Sequence, residues 1–148
     1  MDTKIPSMRH KKIESSAFLS VENLAVGMTA EECFCVEPSE LDEFAEISGD
    51  YNPLHMSASF ANSKGFAGRV VHGAFLVARI SQIIGMRLPG KQALLTGLNL
   101  SFVRPIVVGD PVSLSLSVEF ISPATRMVEV SIIANVSGQC AARGKAEI

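Results

Sequence analysis

The clearest signal in the chain is an alternation of apolar and polar positions with a period of two in its C-terminal half. Residues 112–120, VSLSLSVEF, alternate without a fault, and residues 128–136, VEVSIIANV, keep Val128, Val130, Ile132, Ala134 and Val136 on one side. Successive side chains of a strand point to opposite faces, so this pattern predicts strands with one face on a core and one face wetter. Residues 93–103 and 139–147 are further strand candidates, as is 29–37 after a leading loop over 20–30. Short, turn-rich connections between these segments favour antiparallel pairing, and RPIVVGDPV, residues 104–112, reads as a loop because of Pro105, Gly109 and Pro111.

The period changes in the first half. Leu41, Phe44, Ala45 and Ser48 follow Ser39 at helical spacing, which predicts a short helix with Ser39 as N-cap and Gly49 as its stop. Residues 48–55, SGDYNPLH, read as turn material, because Asn52 precedes a proline and is pushed out of the helical region. Residues 57–63 read as another short helix and KGFAGR as a loop. The run GAFLVARISQIIGM, 73–86, is apolar nearly all round, broken only by Arg79, Ser81 and Gln82; Pro89 and Gly90 stop it. A helix of that kind is buried on most of its surface. The expected architecture is therefore α+β, a curved antiparallel sheet wrapped around one long buried helix.

Composition narrows the class. The 148 residues argue for one domain over 20–148, with residues 1–19 a flexible tail that carries a basic cluster but no apolar stretch of signal-peptide type. Apolar residues make up 47% of the chain and the mean hydropathy is +0.30, which suits buried strands or a subunit interface. A net charge of −2 offers no basic face to nucleic acid or to an anionic membrane. No uncharged apolar run approaches the ~18 residues of a membrane span. Three cysteines, Cys33, Cys35 and Cys140, have no framework spacing, which argues for a reducing, cytoplasmic setting. Cys33-Phe-Cys35 lacks zinc-site spacing, and the expectation is no metal.

Candidate chemistry lies in two places. Asp50 and His55 flank the Asn52-Pro53 turn, which can fold both side chains toward one point. A carboxylate and an imidazole that share one water make a general acid–base pair. The same residues also read as an Asp capping a turn and a His bonded to a backbone carbonyl, and spacing does not decide between these readings. The second place is His72-Gly73. Gly73 opens the long helix, where the first N–H groups lack internal acceptors and carry positive partial charge. Glycine lets an oxygen approach the backbone, so the Gly73 N–H can polarise a carbonyl. His72 reads as a half-buried residue fixing the helix start.

Together these residues carry a resemblance. SGDYNPLHMSASFANSKGFAGRVVHGAFLVARIS, from Ser48 to Ser81, resembles the signature of the (R)-specific enoyl-CoA hydratases, the MaoC-like dehydratase family with the hot-dog fold. Asp50, Asn52, Pro53, His55, His72 and Gly73 fall on the family pattern, SFVRPIVVGDPV resembles its later strand-loop-strand, and the similarity covers roughly residues 24–147. The resemblance implies a hydro-lyase of fatty-acid metabolism that adds water reversibly to a trans-2-enoyl thioester of coenzyme A. It implies Asp50 and His55 as the acid–base pair, Asn52 as their orienter and the Gly73 N–H on the thioester oxygen. Ser81 and Ile84 match positions bounding the acyl pocket, Gly85 would add room, and His72 would support substrate binding. Arg104, Lys64 and Arg69 are candidates for coenzyme A phosphates on charge alone. No cofactor is required, and the expected partner is a second copy of the chain. Rival readings are a hot-dog acyl-CoA thioesterase, a 3-hydroxyacyl-ACP dehydratase and a non-catalytic acyl-thioester-binding subunit. The motif argues against the first. The absence of Glu and Asp from 73–86 argues against the second, and retention of both acid–base residues against the third.

Overall fold

A computed structural model of the protein describes residues 19–148; the tail expected over 1–19 therefore lies outside the described residues except for Leu19. Five strands, β1 (Thr29–Cys35), β2 (Gly97–Phe102), β3 (Pro111–Ser122), β4 (Met127–Val136) and β5 (Gln139–Glu147), form one antiparallel sheet in the order β1-β3-β4-β5-β2. Four α-helices precede β2: α1 (Pro38–Ser48), α2 (Pro53–Met56), α3 (Ala58–Ser63) and α4 (Gly73–Met86). This is the hot-dog arrangement expected from the sequence.

The period-two pattern becomes the inner face of the sheet. Val112, Leu114, Leu116 and Val118 of β3 and Val128, Val130, Ile132 and Ala134 of β4 are all buried, and they cluster with Leu76, Ile80, Ile83 and Ile84 of α4. Each fully buried Leu or Ile contributes about 1.5–3 kcal/mol, so this one face can hold α4 against the sheet. At the centre of β5 the backbones come close: a Cβ on Gly144 would lie 2.0 Å from the Asn99 carbonyl oxygen, so only glycine fits that register.

Several local expectations need correction. The N-cap of α1 is Glu37, two residues before Ser39, because Pro38 occupies the first helical position, where its missing N–H is not needed. The Glu37 N–H donates to Glu40 Oε2 at 2.8 Å. The stretch 53–56 is a one-turn helix capped by Asn52. Pro111 begins β3 opposite Cys35 of the edge strand β1. Strand β2 starts at Gly97, four residues later than expected.

The largest difference concerns α4. Its inner face is buried, but Ala74, Ala78 and Ser81 are exposed, so the helix is covered on one side only. Arg79, which looked like a break in the apolar pattern, is buried. It donates to Glu32 Oε1 of β1 at 2.7 Å, and its guanidinium carbon lies 4.4 Å from the centre of the Phe34 ring. Among the described residues no helix is long and apolar enough to cross a membrane.

Candidate active site

Three segments meet at the site: the loop after α1, the short helix α2 and the residue before α4. Gly49 turns the chain out of α1 with φ 75°, and its N–H donates to the Ala45 carbonyl at 2.8 Å. Asp50 follows, fixed by its own neighbours. The Asn52 N–H donates to Asp50 Oδ1 at 3.1 Å, and the Leu54 N–H donates to Asn52 Oδ1 at 2.9 Å. Asn52 thus ties Asp50 through its backbone and caps α2 through its side chain.

His55 sits on α2. Its Nδ1 lies 2.7 Å from the Val70 carbonyl oxygen. A carbonyl can only accept, so Nδ1 carries the hydrogen and Nε2 of the neutral ring presents a lone pair. That Nε2 faces Asp50 Oδ2 at 3.9 Å, too far for a direct hydrogen bond. Two atoms at that separation are within reach of one water bonded to both. The anchoring reading of this pair holds, and it is compatible with the other. Asp50 Oδ1 caps the turn and His55 Nδ1 binds a backbone carbonyl, and this anchoring leaves Oδ2 and Nε2 facing each other.

His72 lies behind. Its Nε2 donates to the Asp50 carbonyl oxygen at 2.9 Å, and its ring stacks on that of His55 with centroids 3.9 Å apart and planes at 28°. Phe44 packs against it with centroids 5.1 Å apart. The side-chain exposures grade across the site: 51% for Asp50, 15% for His55 and 2% for His72. His72 therefore supports the loop and the neighbouring ring from within the core. Its Nδ1 is buried without a hydrogen-bond partner among the described residues, as expected for the bare nitrogen of the Nε2–H tautomer.

One ligand atom each from Asp50, His55 and His72 lies within 4.8 Å of the others, close enough to consider a metal. His72 Nε2 donates its hydrogen to the Asp50 carbonyl and so offers no lone pair at that point. Asp50 Oδ2 and His55 Nε2 remain, two donors where a zinc site takes three or four.

Gly73 is the first residue of α4, so its N–H has no intrahelical acceptor. A Cβ there would lie 2.9 Å from Cζ of Phe102, so any larger residue would have to displace the exposed ring of the β2 edge strand. The remaining candidates separate. Ser81 is on the outward side of α4, Ile84 is in the core, and nothing lies within 4 Å of a Cβ placed on Gly85. Arg104 is exposed, and Lys64 lies over the Phe60 ring, 5.3 Å from its centroid. Arg69 is already engaged: its Nη2 lies 2.6 Å from Asp42 Oδ1, and its Nε donates to the His55 carbonyl at 2.5 Å. No residue pattern signals this tie, since one of the two acceptors is a backbone oxygen.

A cavity of about 500 Å³ lies near the far end of α4, lined by residues such as Leu24, Pro89, Leu94, Arg126 and Met127. None of Asp50, His55 or His72 lines it.

Beside the hot-dog sheet, then, a carboxylate and an imidazole face each other 3.9 Å apart. The chain belongs to the MaoC-like domain family, whose model matches residues 21–137. It is 34% identical over 128 residues to a 3-hydroxybutyryl-CoA dehydratase of Methylorubrum extorquens, covering 86% of this chain and 82% of that one. It is 37% identical over 100 residues to an (R)-specific enoyl-CoA hydratase of Aeromonas caviae, covering 68% and 75%. The solved structure of an (R)-hydratase from A. caviae superposes with a TM-score of 0.82 at 31% identity, covering 85% of this chain and 96% of that one.

Proposed function

We propose that the protein is an (R)-specific enoyl-CoA hydratase, adding water reversibly to trans-2-enoyl-CoA to give (R)-3-hydroxyacyl-CoA. The observation that carries this reading is the 3.9 Å separation of Asp50 Oδ2 and His55 Nε2, with the other polar atom of each side chain tied to backbone. The pair holds one water. As its oxygen bonds to C3, Asp50 Oδ2 takes its proton and the C2–C3 π electrons move toward the thioester oxygen. The Gly73 N–H, at the positive end of α4, stabilises that oxygen. The pair then returns a proton to C2. Asn52 orients Asp50 and α2 together, and no redox or metal cofactor enters the balance. Hydration of crotonyl-CoA by the purified protein, followed as loss of enoyl absorbance, tests the reading; absorbance unchanged with folded protein rejects it.

The working form we propose is a homodimer in the cytoplasm. The edge strand β2 has an open side, and next to it Phe102 and Val103 are exposed large apolar residues. Asp50 is half-exposed and the outward row of α4 carries exposed small residues, surface that a second copy would cover. Sedimentation is expected to give a dimer at micromolar concentration, and a stable monomer there would reject the proposal.

Ser81 lies eight residues beyond Gly73. At a rise of 1.5 Å per residue this places it about 12 Å further along the helix, a distance that suits the body of an acyl chain. Gly85 would leave room for the same chain further on, whereas Ile84 is spent on the core. Ser81→Leu is expected to depress hydration of long enoyl-CoAs much more than that of crotonyl-CoA, with kcat/KM measured across a chain-length series. Uniform loss across the series would remove Ser81 from the pocket.

A further inference from the structure

We infer that Arg69, set by Asp42, is a positioning residue for His55. This rests on the hydratase reading of the site. Helix α2 is four residues long, too short to persist unaided, so the aim of His55 depends on what grips the helix from outside.

Two consecutive residues supply that grip. The Val70 N–H donates to the Leu54 carbonyl at 3.1 Å, and the Val70 carbonyl accepts from His55 Nδ1 at 2.7 Å. Arg69 holds the other end of the same residue, with its Nε donating to the His55 carbonyl at 2.5 Å. Its Nη2 donates to Asp42 Oδ1 of α1 at 2.6 Å and lies 3.8 Å from Met56 Sδ. His55 is thus held by ring and by carbonyl, and the carbonyl is tied through a guanidinium to the first helix.

Asp42 is 57% exposed, so its attraction to Arg69 adds little stability as an ion pair. Its contribution is geometric. A guanidinium is a planar fork with donors in fixed directions, so fixing Nη2 on Asp42 fixes where Nε points. Without the fork the C-terminal residues of α2 can swing. The Nδ1–H to Val70 bond then competes with solvent, and Nε2 no longer faces Asp50 steadily. A misplacement of about 1 Å at a reacting group costs up to ~10²-fold in rate.

The experiment compares the full chain with its Arg69→Met, Arg69→Lys and Asp42→Asn variants. Long-range proton–nitrogen spectra report which ring nitrogen of His55 carries hydrogen, independently of activity. The wild type is expected to show the Nδ1–H tautomer alone. Arg69→Met is expected to show a mixture with Nε2–H, with kcat for crotonyl-CoA down about 10–100-fold and KM within about threefold. Arg69→Lys, with a point charge in place of a fork, is expected between the two. Should Arg69→Met not fold, Asp42→Asn is expected to show the mixed tautomer in its place. An unchanged His55 tautomer in these variants overturns the inference, whether or not kcat falls. Absence of hydration in the wild type, with the tautomer still shifting in Arg69→Met, rejects the hydratase reading and leaves the positioning role standing.

Discussion

Asp50→Asn is expected to remove nearly all enoyl-CoA hydration, a loss of about 10²–10⁴-fold, the usual scale for one general base. The amide keeps the shape of the carboxylate, and an oxygen can remain where Asp50 Oδ1 accepts the Asn52 N–H. What changes is the atom facing His55 Nε2, where Oδ2 becomes an NH2 group with no basicity toward water. The site of the change is half-exposed, so the melting temperature should hardly move; substitutions of that kind usually stay within about 0.5 kcal/mol. Initial rates on crotonyl-CoA beside a thermal melt make the check. A variant that keeps more than about half the wild-type rate would take Asp50 out of the reaction.

The second large effect belongs to His55→Ala, with two parts of different size. Activity should fall by about 10²–10⁴-fold, because the water loses its second anchor and the site loses a proton carrier. Stability should fall by only about 1–3 kcal/mol, since the Val70 carbonyl loses the Nδ1–H donor and the ring of His72 loses its stacking partner. Rates measured well below the variant's melting temperature separate the two. Activity restored to within about tenfold of wild type there would mean that His55 mainly holds the loop together.

Much of the fold was legible because its long elements obey one period each. The alternation in 112–120 and 128–136 matches the buried residues of β3 and β4, and the bounds of α4 fall at Gly73 and Met86 as its glycine start and the following Pro89 indicated. Short elements were harder. Helix α2 has a capping Asn52 and Pro53 in its first turn, both helix-start signals, yet four residues carry no period, and the same pair also marks a turn. Arg79 reads as a break in the apolar run because a charged side chain on a helix normally faces water; its partner Glu32 lies 47 residues away on β1.

The site divides along the same line. Asp50 and His55 were legible because their spacing about Asn-Pro is local. The bond from His72 to the Asp50 carbonyl and that from Arg69 to the His55 carbonyl were not, because any residue type has a backbone oxygen.

The two sides of α4 answer to different demands. Ile80, Ile83 and Ile84 meet the sheet, and a change in any of them opens a cavity or forces strain in the core. Ala74, Ala78 and Ser81 are exposed among the described residues, so their bulk can vary at little cost to folding. A lineage could therefore exchange side chains on the outward row repeatedly while the inward row stays still. Adaptation to new ligands and survival of the fold would then draw on separate sets of positions along a single helix.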